Sequence, residues 1–256
     1  LERAHAEEQR LSAELDKLAV MAEIDEQRSA LLRSVSHDLR APLRHITAYA
    51  PLVREMLAEG EDPGPCLDTL EQSARNMARM VDALLELSHL ARIPLQTTAV
   101  SMGAVVAEAQ RALAADAAGR SIEWQMPADW PTVQGDAALL RQVWEHLLSN
   151  ALKFTRPRPQ AQIALGWEQL PDGISFWVRD NGVGFNPAAS ASMFDLFQRL
   201  HAASVFAGAG IGLALARQIV QRHGGNISAQ GTVDGGCTLL FTLPTPGLVI
   251  MDNMAR

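Results

Sequence analysis

Two cysteines, a single tyrosine and no long apolar run are the first things this 256-residue chain withholds. Cys66 and Cys237 lie far apart, with no Cys-x-x-Cys or Cys/His spacing. That excludes a disulfide framework or an ordinary zinc site and fits a reducing cytoplasm. No stretch of 18 apolar residues exists, so no membrane-spanning helix is expected. The opening Leu1-Glu2-Arg3-Ala4-His5 lacks the layout of a signal peptide and reads as a cut through a helix that begins upstream. A basic excess is missing too. The net charge of −7 argues against nucleic acid as a partner, because phosphate backbones require a basic face. No Gly-Lys-Ser/Thr occurs, which excludes a Walker loop. What remains, 48% hydrophobic and 20% charged residues, is the composition of a globular protein with room for two modest domains.

Glycine is absent before Gly60, and the only prolines up to that point are Pro42 and Pro51. Leu11, Leu15, Leu18, Ala22 and Leu32 keep a heptad register, with Asp25 and Ser29 as weak spots, so residues 1–25 read as a parallel coiled-coil helix. The turn-rich Glu59-Gly60-Glu61-Asp62-Pro63-Gly64-Pro65 separates a first long helix from a second, roughly 66–91. Leu67, Leu70, Ala74, Met77, Val81, Leu84 and Leu87 form its apolar stripe. Such a hairpin exposes too much apolar surface alone, and pairing two copies as a four-helix bundle buries it. The helical pattern breaks at 93–98, the expected linker. Beyond it, helices near 101–117, 136–154 and 209–223 alternate with strands near 121–125, 161–168, 173–180, 226–231 and 237–243. This predicts an α/β sandwich over 99–245, helices covering one mixed sheet, and a loose tail over 246–256.

Four short motifs carry chemistry. In Ser36-His37-Asp38-Leu39-Arg40-Ala41-Pro42-Leu43, a carboxylate adjoins the imidazole and can orient it or take its proton. Pro42, inside the helix, removes one backbone hydrogen bond. Far downstream, Leu147-Leu148-Ser149-Asn150-Ala151-Leu152-Lys153-Phe154 lies on a helix. Asp180-Asn181-Gly182-Val183-Gly184 follows, then Gly208-Ala209-Gly210-Ile211-Gly212-Leu213, which opens another helix. Glycines let backbone approach a ligand closely, and a helix N-terminus offers free N–H groups to anionic oxygens.

Together and in this order, these motifs resemble the sensor histidine kinases of two-component signalling, over about residues 20–245. The phrase Phe197-Gln198-Arg199-Leu200-His201 is similar to the phytochrome-type members. The resemblance implies a dimerisation and phosphotransfer domain over 26–92 and a catalytic domain of the type shared by histidine kinases, gyrase, Hsp90 and MutL. It implies that His37 is the phosphoacceptor and Asp38 its acid/base partner. Asn150 would ligate Mg²⁺, Lys153 would approach the phosphates of ATP, and Asp180 would accept from the adenine amino group. Gly182 and Gly184 would wrap the base, and Thr238 would lie near it. Gly208, Gly210, Gly212 and Leu213 would cradle phosphate, Phe197 would anchor the lid, and Arg199 would reach the transferring phosphoryl group. Implied partners are a second copy through the hairpin, the receiver domain of a response regulator, and a sensor domain upstream of residue 1; the localisation implied is cytoplasmic.

Three positions depart from the family pattern. Ala41 stands where many relatives carry Thr or Asn to hold a hydrolytic water, so weak regulator-phosphatase activity is expected. His146 replaces the first Asn of the Asn-box, and Ala209 replaces the Thr of Gly-Thr-Gly. These departures keep open a non-catalytic dimeric adaptor. An ATPase of the gyrase/Hsp90 kind is the other competing reading. It would use Glu145 as base, although Glu145 falls on a different helical face from the usual one and the His37 motif would then serve no purpose.

Overall fold

The computed structural model describes residues 35–201, 206 and 210–245. The expected coiled-coil seam over 1–25, the tail over 246–256, and Gly208 and Ala209 all lie outside the described residues. Contacts divide the chain into two units, one up to Met80 and one from Val81.

In the first unit, helix α1 covers residues 35–59 and runs through Pro42 without a break. It ends in a Schellman turn. Gly60 takes φ +76°, and the N–H of Glu61 donates to the carbonyl of Met56 at 2.8 Å, an ending that glycine alone adopts without strain. Helix α2, Gly64–Arg92, starts where Asp62 Oδ1 accepts from the N–H of Gly64 at 2.9 Å. Leu43, Leu52, Leu57 and Leu67 remain 44–62% exposed along these helices. That is the apolar surface the sequence pattern leaves without an intramolecular partner.

The second unit takes in the last turns of α2. Leu90 is buried in its core, with Leu87 and Leu95 packed against it. Five strands form one mixed sheet in the order β2-β4-β5-β7-β6. They are β2 Ile122–Gln125, β4 Ala161–Leu170, β5 Gly173–Asp180, β6 Ile227–Gly231 and β7 Cys237–Pro244. Only the β2–β4 pair is parallel. Helices α3 (Met102–Ala112), α5 (Ala137–Phe154) and α6 (Gly212–Arg222) pack in a layer with the sheet. On α5 the residues Leu140, Val143, Trp144, Leu147, Leu148 and Ala151 repeat at helical spacing, and all are essentially inaccessible. Trp144 meets Phe176, Phe241 and Trp130 edge-on at 5.4–6.1 Å. Each such side chain contributes about 1.5–3 kcal/mol on burial, so this layer is the main stabilising seam.

Two differences from the sequence reading stand out. The helix expected over 101–117 is broken at Leu113, leaving a short α4, Ala114–Ala117. A second sheet pairs β1, Thr98–Ser101, with β3, Thr132–Gly135. Each of these strands is four residues long, too short for a visible period, and their antiparallel pairing supplies order that local propensity does not.

Candidate functional site

Chemistry-bearing residues gather in both units. On α1, His37 is 78% exposed, and its Nδ1 lies 3.1 Å from Asp38 Oδ1. With Nδ1–H donating to the carboxylate, Nε2 carries the lone pair on a largely exposed ring. Ala41 follows one turn later, half-buried.

In the second unit a cavity of about 420 Å³ opens between α5, α6 and the segment joining β5 to α6. Of the residues singled out from sequence, His146, Asn150, Lys153, Gly184, Arg199, Gly210, Gly212 and Leu213 line it. The Asp136 side chain starts α5 by accepting from the N–H groups of Ala138 and Leu139, at 3.1 and 3.2 Å. One helix face then presents His146, Asn150 and Lys153 at spacings of four and three. The Lys153 ammonium stands 4.3 Å over the Phe154 ring. Burial lowers its pKa, and the neighbouring guanidinium groups of Arg199 and Arg156 lower it further. Such a gathering of cations favours an anionic ligand. Phe154, His201 and Phe206 form an aromatic triangle at 5.1–5.4 Å, and Arg199 Nη2 donates to the carbonyl of Phe206 at 2.6 Å.

Asp180 ends β5 and is 7% exposed. Its Oδ1 accepts from the N–H of Gly182 at 2.8 Å. Burial pushes its pKa up to about 6, opposed by backbone hydrogen bonds from Gly182 and Cys237. Cys237 faces it in the β5–β7 register, and burial, with the Asp180 charge, pushes the thiol up to about 12. The loop returns at Gly184, with φ +61°, where a Cβ would stand 1.8 Å from the carbonyl oxygen of Thr232. Only glycine fits there.

Not every candidate reaches the main cavity wall. Asp180 and Thr238 line a second cavity of about 640 Å³ across the sheet ends, and Cys237 lines both. Thr238 Oγ1 accepts from Arg179 Nε at 3.3 Å. Gly182 lines neither, and Phe197 is buried with φ 62°, its N–H donating to the carbonyl of Gly210 at 2.9 Å. Glu145 pairs with Arg141 at 2.6 Å and is not among the residues lining the cavity, so it offers no base for an attacking water. Sequence reasoning missed Glu86 on α2, which lines the cavity, and Arg158, which binds the Asp180 loop. Neither lies in a motif.

Asn150 is also the residue that would hold Mg²⁺. Among the described residues no group of three or more His, Cys, Asp or Glu forms a metal cage. One amide oxygen in an anion-attracting cavity fits a hard cation held otherwise by phosphate oxygens and water.

Residues 27–92 match the His Kinase A (phospho-acceptor) domain family, and residues 135–247 match the histidine kinase-, DNA gyrase B-, and HSP90-like ATPase family. The chain is 33% identical over 215 residues to the methanogenesis regulatory histidine kinase FilI of Methanothrix harundinacea, covering 83% of this chain and 24% of that one. It is 31% identical over 247 residues to cyanobacterial phytochrome B of a Nostoc species, covering 95% and 31%. The chain thus spans a quarter to a third of the length of these relatives. Among solved structures, the histidine kinase ThkA in complex with the response regulator TrrA matches with a TM-score of 0.61 at 17% identity, covering 84% of this chain and 61% of that one. At that identity the likeness is one of fold.

Proposed function

This chain belongs to the two-component histidine kinases, and on that premise we propose that it transfers the γ-phosphoryl group of ATP to Nε2 of His37 and then to an aspartate of a response regulator. The observation that carries the reading is the His37–Asp38 pair, a 3.1 Å contact that engages Nδ1 and leaves Nε2 as the nucleophile of an exposed side chain. As Nε2 attacks phosphorus, the bond from the γ-phosphorus to the bridging oxygen breaks and ADP leaves. The Nδ1 proton shifts toward Asp38, so the ring does not accumulate charge. Lys153 and Arg199 neutralise phosphate charge, and the N-terminus of α6 at Gly212 offers its backbone N–H groups. Mg²⁺, when bound through Asn150, supplies further neutralisation of the phosphates. Asp180 accepts from the adenine amino group. Most of the rate enhancement is then positioning and electrostatics.

The exposed Leu43, Leu52, Leu57 and Leu67 support dimerisation through the hairpin, and the receiver domain of a response regulator is the phosphoryl recipient. No described helix is long and apolar enough to cross a membrane.

The test is incorporation of label from γ-labelled Mg-ATP into the wild-type chain and into His37→Gln. Acid-labile, base-stable label in the wild type alone is the expected result. Label that persists in the variant, or a wild type that binds ATP without labelling, would overturn the reading.

A further inference from the structure

We propose that Arg158 sets the purine selectivity of the nucleotide site, by clamping the loop from Asn181 to Gly184 so that the Asp180 carboxylate is held for the base. The inference rests on the reading of the two cavities, which share Cys237 in their linings, as one ATP site. Arg158 lies just beyond α5, outside every motif. Its Nε donates to the carbonyl of Asn181 at 2.8 Å, and its Nη2 donates to the carbonyls of Gly182 and Asp234, both at 3.0 Å. The Asp234 carboxylate stands 3.5 Å from the same nitrogen. One side chain, 30% exposed, therefore gathers three carbonyl oxygens from two separate loops.

What it holds is the peptide pair next to Asp180. The N–H of Gly182 is the donor to Asp180 Oδ1, so the carbonyls that Arg158 grips and the N–H that orients the carboxylate share one short stretch of backbone. Other ties converge there. The N–H of Asp234 donates to the carbonyl of Val183 at 2.8 Å, and the N–H of Val183 to that of Phe154 at 3.2 Å. The Asn181 side chain bonds Gln162 N–H and the Gln160 carbonyl. Without the guanidinium, three carbonyl dipoles point at one another and the 181–182 peptide is free to turn, taking the Gly182 N–H away from Asp180. Lysine cannot substitute fully, because an ammonium lacks the planar fork that spans separated acceptors.

The consequence is chemical. Adenine presents an amino donor where guanine presents a carbonyl oxygen. A carboxylate held in place accepts from the first and repels the second, so selectivity reports how well Asp180 is held.

The experiment is calorimetric titration of ADP and GDP into wild type, Arg158→Ala, Arg158→Lys and Asp180→Asn, with thermal midpoints recorded for each. Arg158→Ala is expected to bind ADP roughly tenfold more weakly with GDP little changed, the size expected for loss of a charge-assisted bond. The ADP/GDP ratio then collapses toward that of Asp180→Asn, with Arg158→Lys intermediate. An unchanged ratio with only a lower thermal midpoint would make Arg158 merely structural and overturn the inference. Should Arg158→Ala not fold, the Arg158→Lys ratio decides alone. A wild type that binds neither nucleotide overturns the ATP reading and this inference with it, whereas a selective wild type with equally selective variants overturns this inference only.

Discussion

Gly212, the first residue of α6, packs against the imidazole of His146 so closely that an added Cβ would stand 3.0 Å from Nδ1. The other ring nitrogen, Nε2, is buried without a hydrogen-bond partner among the described residues. Burial pushes the ring pKa down to about 4, so His146 is neutral at physiological pH. Where the family pattern has an Asn amide, this chain presents a larger ring wedged against the N-terminal end of α6. Gly212→Ala is therefore expected to weaken ATP binding roughly tenfold, and His146→Asn to restore much of that loss in the double variant, since the smaller amide leaves room for the methyl. Titration calorimetry on the four-member cycle checks it. Strictly additive losses would show that the two residues do not share the site.

Asp180 gives a pH dependence whose sign can be worked out. Its folded pKa is raised from 3.8 to about 6, so between those values the folded chain holds a proton that the unfolded chain has released. Stability from this group is present below pH ~4 and is lost as pH rises through ~6, on the order of 2–3 kcal/mol. Asp180→Asn should accordingly unfold at a higher temperature than wild type at pH 7, with little difference at pH 4. Nucleotide binding runs the other way. Only the ionised carboxylate accepts well from an amino group, so ATP affinity should fall as pH drops below ~6 and should be pH-independent, though weak, in the Asn variant. A wild-type affinity that is flat from pH 5 to 8 would remove Asp180 from the base-binding role.

Much of this was legible in the sequence, for a physical reason. Helix α5 carries its core face as an unbroken apolar repeat, and β5 and β7 are eight-residue strands whose composition is that of a buried sheet. The motifs around His37, Asn150, Asp180 and Gly212 are local and read without a fold. What escaped was long-range. β1 and β3 exist because they pair with each other, and Leu113 breaks a helix that propensity alone would continue. Arg158 reaches Asp234, and Arg222 reaches Leu90, across distances in sequence that no periodicity encodes. The placement of Thr238 and Asp180 on the second cavity also depends on how the sheet ends meet, which spacing along the chain does not express.

Ala41 sits one helical turn from His37 with no polar atom in its side chain. A hydrolytic water beside a docked phospho-regulator would find no hydrogen-bond acceptor or donor there. The chain should dephosphorylate its regulator weakly. Ala41→Thr or Ala41→Asn should raise that rate about tenfold, the contribution of one well-placed hydrogen bond of about 1.4 kcal/mol. The measurement is loss of aspartyl-phosphate from purified phospho-regulator in the presence of each variant and ADP. Strong dephosphorylation by the wild type would show that water is held by another group.

Arg222 closes α6 and ties down the end of α2. Its two terminal nitrogens donate to the carbonyls of Leu90 and Ile93. Leu90 lies in the last turn of α2, where the residue four on is Pro94 and has no N–H to give its carbonyl, so this guanidinium acts as a C-terminal cap supplied from far away in sequence. A second tie lies beside it, where the N–H of Gln96 donates to Asp136 Oδ2 at 3.1 Å. Removing the guanidinium in Arg222→Ala leaves two carbonyls to water or to no partner, at about 1–3 kcal/mol, with partial exposure favouring the low end. Amide exchange over residues 90–96 should quicken and the thermal midpoint should fall by about 2–4 °C. Arg222 is not among the residues lining the cavity, so KM for ATP should hold. The expected signature is therefore faster exchange and a lower thermal midpoint at an unchanged KM. A raised KM would point instead to Glu86, the residue of α2 that lines the cavity, and would mean that the Arg222 tie reaches the cavity through α2.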